Sequence, residues 1–338
     1  MEISWDEFYR KVSSIAAALR HMGVKPGDRV VAYMPNIPQT IVAFLACASI
    51  GATWSSCSPD FGTRSVVDRF KQIEPRVLFA VDGYQYGGKG FDCHSAIAEL
   101  QQSLPTLEKT ILAPYLHPEG RPVNLMDTVS FDDLLQGGDE LVFEQVPFDH
   151  PLWVVYSSGT TGLPKGLVHG HGGILLEFMK FAGLQMDVHA GDRFFWFSTT
   201  GWVMWNILQG SLLLGATPVL YDGSPGHPDL DVLWQLAQDS KMSVFGTSAA
   251  YLTTCMAQGL TPGRKFDLSS LKTVGSTGSP LPTDGFRWVY ENVKNEILLG
   301  SVSGGTDPCT AFLGSSPLLP VRAGELQCRC LGVNARAY

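Results

Sequence analysis

Apolar residues at Phe8, Val12, Ile15 and Leu19 recur at intervals of four, three and four, which lays them along one face of a helix that Gly23 ends. Ser4, three residues ahead of Glu7, gives that helix a capping-box start. The turn VKPGD and the short apolar run RVVAYM follow and predict a strand; a helix from about Pro38 then leads to Gly51 and the strand-like ATWSS. A helix-like SVVDRFKQI leads in turn to RVLFAV. Helices and short strands alternate, which predicts an α/β fold with a mainly parallel sheet and helices on its faces.

Residues 82–150 break the pattern. GYQYGGKG and LHPEGRP carry turn chemistry and weak strands, as expected of a link between two subdomains at approximately 1–145 and 146–338. Beyond it the alternation resumes: helix ILLEFMKF, strand RFFWFS, helix VMWNILQGSLL, strand TPVLY, helix LDVLWQLAQDS, strand SVFGTS and helix AAYLTTCMAQ. Strands LKTVGS and EILLGSVS close the series, each running into a turn of Gly, Ser and Thr. Ligands bind such sheets at the carboxyl ends of the parallel strands, where YSSGTTG, STTGW, GSTGSP and GSVSGGTD are all expected.

Composition narrows the partners. With 45% hydrophobic and 17% charged residues, a 338-residue chain can bury a substantial core. Its formal net charge is -8 and its lysines and arginines are scattered singly, which argues against nucleic acid and against an anionic membrane. The seven cysteines show no paired spacing, and no charged-then-apolar leader begins the chain, so a reduced, cytosolic protein is expected. The most apolar segment, residues 41–50, is too short for a bilayer span and reads as a buried helix.

The candidate chemistry is densest in YSSGTTGLPKG, residues 156–166. Backbone N–H groups in a glycine-rich turn form an anion-binding hollow, neighbouring hydroxyls extend it, and Lys165 adds a mobile positive charge. A surface linker of small polar residues is the plain alternative. Against it, the loop follows an apolar strand, holds Pro164 and Lys165 in a turn, and is expected to lead into a helix. It is not a Walker A loop, because Lys165 is followed by Gly166 instead of Ser or Thr; a P-loop kinase or ATPase is disfavoured. The pairs His169/His171 and Cys328/Cys330 lack further partners at metal-ligand spacing, and HGH is expected to be a helix-entry loop.

YSSGTTGLPKG resembles the phosphate-binding signature of the acyl-adenylate-forming enzymes, the family of acyl-CoA synthetases, luciferases and peptide-synthetase adenylation domains. GVKPGDRVVAYMPN, GATWSSCSPDFG, GSTGSPLP and GELQC stand in that family's order, so the resemblance covers nearly the whole chain. SSCSPDFG, TTGWVMWN and SGGTD are particularly similar to the members that activate acetoacetate. The fold implied is the large N-terminal lobe of that family, with two mainly parallel sheets flanked by helices.

The resemblance also implies roles. In the family the loop matching Ser157 to Gly166 cradles the β- and γ-phosphates of ATP. Ser158, Thr160, Thr161 and Lys165 are thereby phosphate ligands, with Gly159 and Gly162 permitting close backbone approach. Gly278, Ser279 and Pro280 match the strip along the adenine. Thr306 and Asp307 match a Thr-Glu pair whose hydroxyl contacts phosphate and whose carboxylate holds Mg2+; without the resemblance, Asp307 reads as a turn-forming aspartate before Pro308. Trp202, Val203 and Met204 match the acyl-pocket segment, with core packing as the alternative for Trp202 and Trp205. Gly304 stands where acetate-activating relatives carry a tryptophan, which leaves room for acetoacetate, and Thr277 or Ser303 is expected to donate to its keto oxygen. Gly304→Trp is expected to shift preference towards acetate.

The reaction implied has two halves: a carboxylate attacks the α-phosphorus of ATP and expels pyrophosphate, then the thiol of coenzyme A displaces AMP. It joins two anions, so the protein's task is charge neutralisation and alignment, assigned to Mg2+, Lys165, Thr306 and backbone donors, with no protein nucleophile. Measured against the family, the sequence begins almost at the first capping box and stops at Tyr338, before the ribose-binding aspartate, the hinge and the small C-terminal domain. A truncated and impaired form is therefore expected. The alternatives are a catalytically poor ATP-binding fragment or isoform, and a synthetase for acetate or propionate.

Overall fold

The computed structural model describes residues 1–119, 125–137, 140–157 and 162–336. Ser158, Gly159, Thr160 and Thr161 lie outside the described residues. The chain divides into two compact units, one of residues 1–173 with 199–201, the other of 174–198 with 202–338.

The first unit is built on a seven-stranded sheet in the order Thr128–Ser130, Lys109–Ala113, Val77–Val81, Arg29–Tyr33, Thr53–Cys57, Pro151–Ser157, Lys165–Gly170. Every neighbouring pair is parallel except the last. Val77–Val81 and most of Arg29–Tyr33 are buried on both faces, which is why they read as apolar runs; Thr53–Cys57 is as buried but carries Thr and Ser. Helix Trp5–His21 starts as its sequence dictates: the Ser4 hydroxyl accepts from the Glu7 amide at 3.2 Å, and Val12, Ile15, Ala16 and Leu19 are buried. It stops where Gly23 adopts φ +81°, a conformation that glycine enters without a Cβ penalty.

The second unit carries a five-stranded parallel sheet, Thr217–Val219, Arg193–Trp196, Val244–Ser248, Thr273–Thr277, Leu298–Ser301, and a three-stranded antiparallel one, Ser303–Gly305, Thr310–Gly314, Cys328–Arg329. Phe245, Val274 and Leu299 belong to one core with Leu233, Trp234, Leu252, Phe286 and Val289. Trp234 stacks on Phe245 with ring centroids 4.4 Å apart. The next residues along the same strands, Gly246, Gly275 and Gly300, stand side by side in register. A Cβ on Gly246 would fall 2.2 Å from the Trp196 indole, and one on Gly275 2.6 Å from it, so Trp196 fills the space two side chains would need. Helix Val203–Gly210 and a π-helical segment, Met179–Gln185, complete this unit's surroundings of the candidate site.

One ion pair links the residues just before Arg193–Trp196 and Thr273–Thr277, strands of this sheet that Val244–Ser248 separates. Asp192, 5% exposed, accepts from Lys272 at 2.7 Å and from the His189 amide at 2.9 Å. Burial alone would raise the Asp192 pKa; the Lys272 ammonium and the amide outweigh it and hold the carboxyl below its usual range. A folded-state value below the unfolded one stabilises above the unfolded pKa of about 4 and is lost as pH falls through the folded value. Lys272→Met is therefore expected to cost about 1 kcal/mol at neutral pH, modest because the lysine is largely solvated, and almost nothing in acid. Urea midpoints of both proteins across pH 7 to about 3 measure this.

Candidate active site

In the first unit the described residues on both sides of 158–161 are fixed. On the near side Pro151–Ser157 runs parallel to Thr53–Cys57, the Ser55 hydroxyl donates to the Val154 carbonyl at 2.7 Å, and the Tyr156 hydroxyl donates to the Arg69 carbonyl at 2.7 Å. Burial pushes the Tyr156 phenol well above its usual pKa, so it remains a neutral donor. On the far side the Gln72 amide donates to the Pro164 carbonyl at 3.0 Å. Lys165 pairs with Ser157 across the ladder and is exposed, and Gly162 takes φ +99°, which only glycine adopts without strain.

Lys165–Gly170 is a strand antiparallel to Pro151–Ser157 and lies ahead of the helix that starts at His171, whereas the sequence reading placed the helix directly after the glycine-rich stretch. KGLVHG has glycine at both ends of its two apolar residues, too short a pattern to signal a strand. HGH is divided between that strand and the helix. His169 accepts from the Trp153 indole N–H at 3.1 Å, and the His171 ring lies 5.8 Å from that of His150.

The second unit holds a cavity of ≈390 Å³ at the carboxyl ends of its parallel strands, within the range of small-molecule sites. Trp202, Val203 and Met204 line it, as do Thr277, Gly278, Ser279, Pro280, Gly304 and Thr306. Asp307 is not among its walls; it is an exposed residue of the turn between Ser303–Gly305 and Thr310–Gly314, beside Thr306. Trp205, by contrast, is fully buried. Phe181, Ile207, Val302 and Ala311 add apolar wall, Thr310 adds a further hydroxyl, and Glu325 is the only charged residue among the described lining. The cavity thus supplies shape and hydroxyls, not positive charge.

Two details bear on the acid it can hold. The Thr277 hydroxyl donates to the Val302 carbonyl at 3.0 Å, so its proton is engaged and it offers a ligand an acceptor. Gly304 sits at a register shift of the antiparallel sheet, where a Cβ would lie 2.3 Å from the Thr310 carbonyl oxygen. Glycine is needed there for the strands to approach, independently of the cavity's volume.

Phe181, Ile207 and Thr310 escaped the sequence reading. Phe181 lies on the π-helical segment, whose wider turn places residues that a 3.6-residue period does not. Thr310 had only an unremarkable strand pattern, TAFLG, to announce it.

All seven cysteines are free thiols, six of them buried. Burial pushes Cys57 and Cys93 up to about 12, which keeps them protonated and poor nucleophiles at neutral pH. No helix among the described residues is long and apolar enough to cross a membrane.

The chain is 46% identical over 337 residues to an acetoacetyl-coenzyme A synthetase of Rhizobium meliloti, and 41% identical over 345 residues to the acetoacetyl-CoA synthetase of Mus musculus. These alignments cover 98% and 100% of the chain but 51% of each relative, so the chain spans about half their length. A solved structure, acetoacetyl-CoA synthetase from Streptomyces lividans, superposes with a TM-score of 0.94 at 52% identity, over 98% of this chain and 51% of that one. The model of the AMP-binding enzymes matches residues 1–321, and the chain belongs to that family.

Proposed function

We propose that this chain carries the acid-activating part of an ATP-dependent, AMP-forming acid–thiol ligase whose acid is acetoacetate. The observation that carries the reading is the cavity beyond the strands Thr273–Thr277 and Leu298–Ser301, largely apolar and lined with hydroxyls; the segments that wall it are those the resemblance assigns to acid and adenine. Relatives named for acetoacetyl-CoA at 41–46% identity over the whole chain support the choice of acid.

In the first half-reaction a carboxylate oxygen of the acid bonds to the α-phosphorus of ATP while the bond from that phosphorus to the pyrophosphate oxygen breaks. Acyl-AMP and pyrophosphate result. In the second half, the coenzyme A sulfur bonds to the acyl carbon and AMP leaves. Lys165 neutralises phosphate charge as a point cation, while Ser157, Ser158, Thr160, Thr161 and the backbone at Gly159 and Gly162 donate to phosphate oxygens. Gly278, which adopts φ +89°, lets the strip Gly278, Ser279, Pro280 turn flat against the adenine. Trp202, Val203, Met204, Thr277 and Gly304 hold the acid.

A magnesium ion, when bound, draws charge from the phosphates. Asp307 fits it as a ligand, because it is an exposed carboxylate on the turn that also presents Thr306, and Mg2+ typically takes one or two carboxylates with phosphate and water completing its shell. Thr306 donates its hydroxyl to phosphate from the same turn.

Mixing the chain with acetoacetate, ATP and Mg2+ is expected to release pyrophosphate. Greater release with acetate or propionate would reassign the acid, ADP would point to a phosphotransferase, and ATP binding without release would make the chain a nucleotide-binding form.

A further inference from the structure

We infer that Thr310 is the residue that recognises the 3-keto oxygen of the acid, donating its hydroxyl to that oxygen and so favouring 3-oxo acids over plain fatty acids of the same length. The inference rests on the acyl-cavity reading given above. Thr310 lines the cavity and is 5% exposed, and its hydroxyl has no hydrogen-bond partner. Among the described residues of the cavity wall, its side chain alone carries such a buried, unsatisfied polar atom. An orphaned buried hydroxyl costs on the order of 1–3 kcal/mol, which a ligand acceptor would relieve.

The surroundings exclude easier explanations. Phe181, Val203, Ile207 and Val302 are apolar, and Thr277 already gives its proton to the Val302 carbonyl. Ser303 is exposed, where water competes for its hydroxyl. Thr310 begins the strand Thr310–Gly314, and the close approach of Gly304 fixes its backbone. A turn about its Cα–Cβ bond from one staggered rotamer to another redirects the hydroxyl while the backbone stays in place. A site built to hydrogen-bond one substrate oxygen rejects the analogue lacking it, because the donor is left unpaired.

The test is a saturation-transfer NMR titration of the whole chain with acetoacetate and with butyrate, which differ at that oxygen. The wild type is expected to bind acetoacetate about five- to tenfold more tightly, the worth of one hydrogen bond. Thr310→Val should erase that preference by weakening acetoacetate alone, and Thr310→Ser should keep it. The melting temperature of Thr310→Val should not fall, since it replaces an unsatisfied hydroxyl with a methyl of the same shape. A preference that survives in Thr310→Val, or is missing from the wild type, overturns the assignment while leaving the acyl cavity in place. Failure of both acids to bind the wild type overturns the cavity reading itself, and the Thr310 assignment with it.

Discussion

Lys165→Ala is expected to lower acetoacetate-dependent pyrophosphate release by about 10²–10³-fold, the usual loss when one positioned charge at an anionic transition state is removed. Lys165 is the single cation in residues 156–166, and the reaction brings a carboxylate against a polyphosphate. Its carrier strand is held through the Gln72 contact to Pro164 and the pairing with Pro151–Ser157, so deleting the side chain leaves the strand pairing intact. Lys165 is exposed, and the melting temperature should move little. Lys165→Arg should recover part of the rate, since guanidinium keeps the charge but changes its shape. A loss smaller than about threefold would remove Lys165 from the chemistry.

Gly304→Ala and Gly304→Trp are both expected to destabilise the protein, by about 1–3 kcal/mol or more, because the first added carbon already meets backbone. The Cβ would lie 2.3 Å from the Thr310 carbonyl oxygen and 2.9 Å from the Ala311 Cα. Neither can yield as a flexible side chain would, so Ser303–Gly305 and Thr310–Gly314 must part. For a chain of 338 residues each kcal/mol lowers the melting temperature by roughly 1–2 °C. The expected turn of preference from acetoacetate towards acetate is then the difference between the tryptophan and alanine variants, which share the strand damage and differ in the indole. An alanine variant as stable as the wild type would show that the strands can open there without cost. A tryptophan variant no more inclined to acetate than the alanine one would dissociate Gly304 from acid choice.

The alternation of helix and strand was legible because several buried strands are short apolar runs between turn residues, as in VLFAV and RVVAY, whose burial is nearly uniform. The stretch 156–166 stood out in the sequence for a different reason, its concentration of Gly, Ser and Thr before a lysine. What stayed hidden depends on contacts distant in sequence. The cavity gathers Phe181, Met204, Thr277, Gly304 and Leu326, and no local pattern announces that they meet. The strand Lys165–Gly170 was missed because its pairing with Pro151–Ser157, not its own sequence, makes it a strand. Gly304 was legible as a missing side chain, yet its need for glycine arises from Thr310 on the opposite strand. The glycine row 246, 275 and 300 is likewise unintelligible until Trp196 is seen lying against two of its members.

The most direct measurement uses acetoacetate labelled with 18O in its carboxylate, incubated with the chain, ATP, Mg2+ and coenzyme A. If a carboxylate oxygen attacks the α-phosphorus and the thiol later displaces AMP, one labelled oxygen leaves in the AMP, which becomes about two mass units heavier while pyrophosphate stays unlabelled. Unlabelled AMP, or label recovered in orthophosphate alongside ADP, would contradict adenylation of the acid.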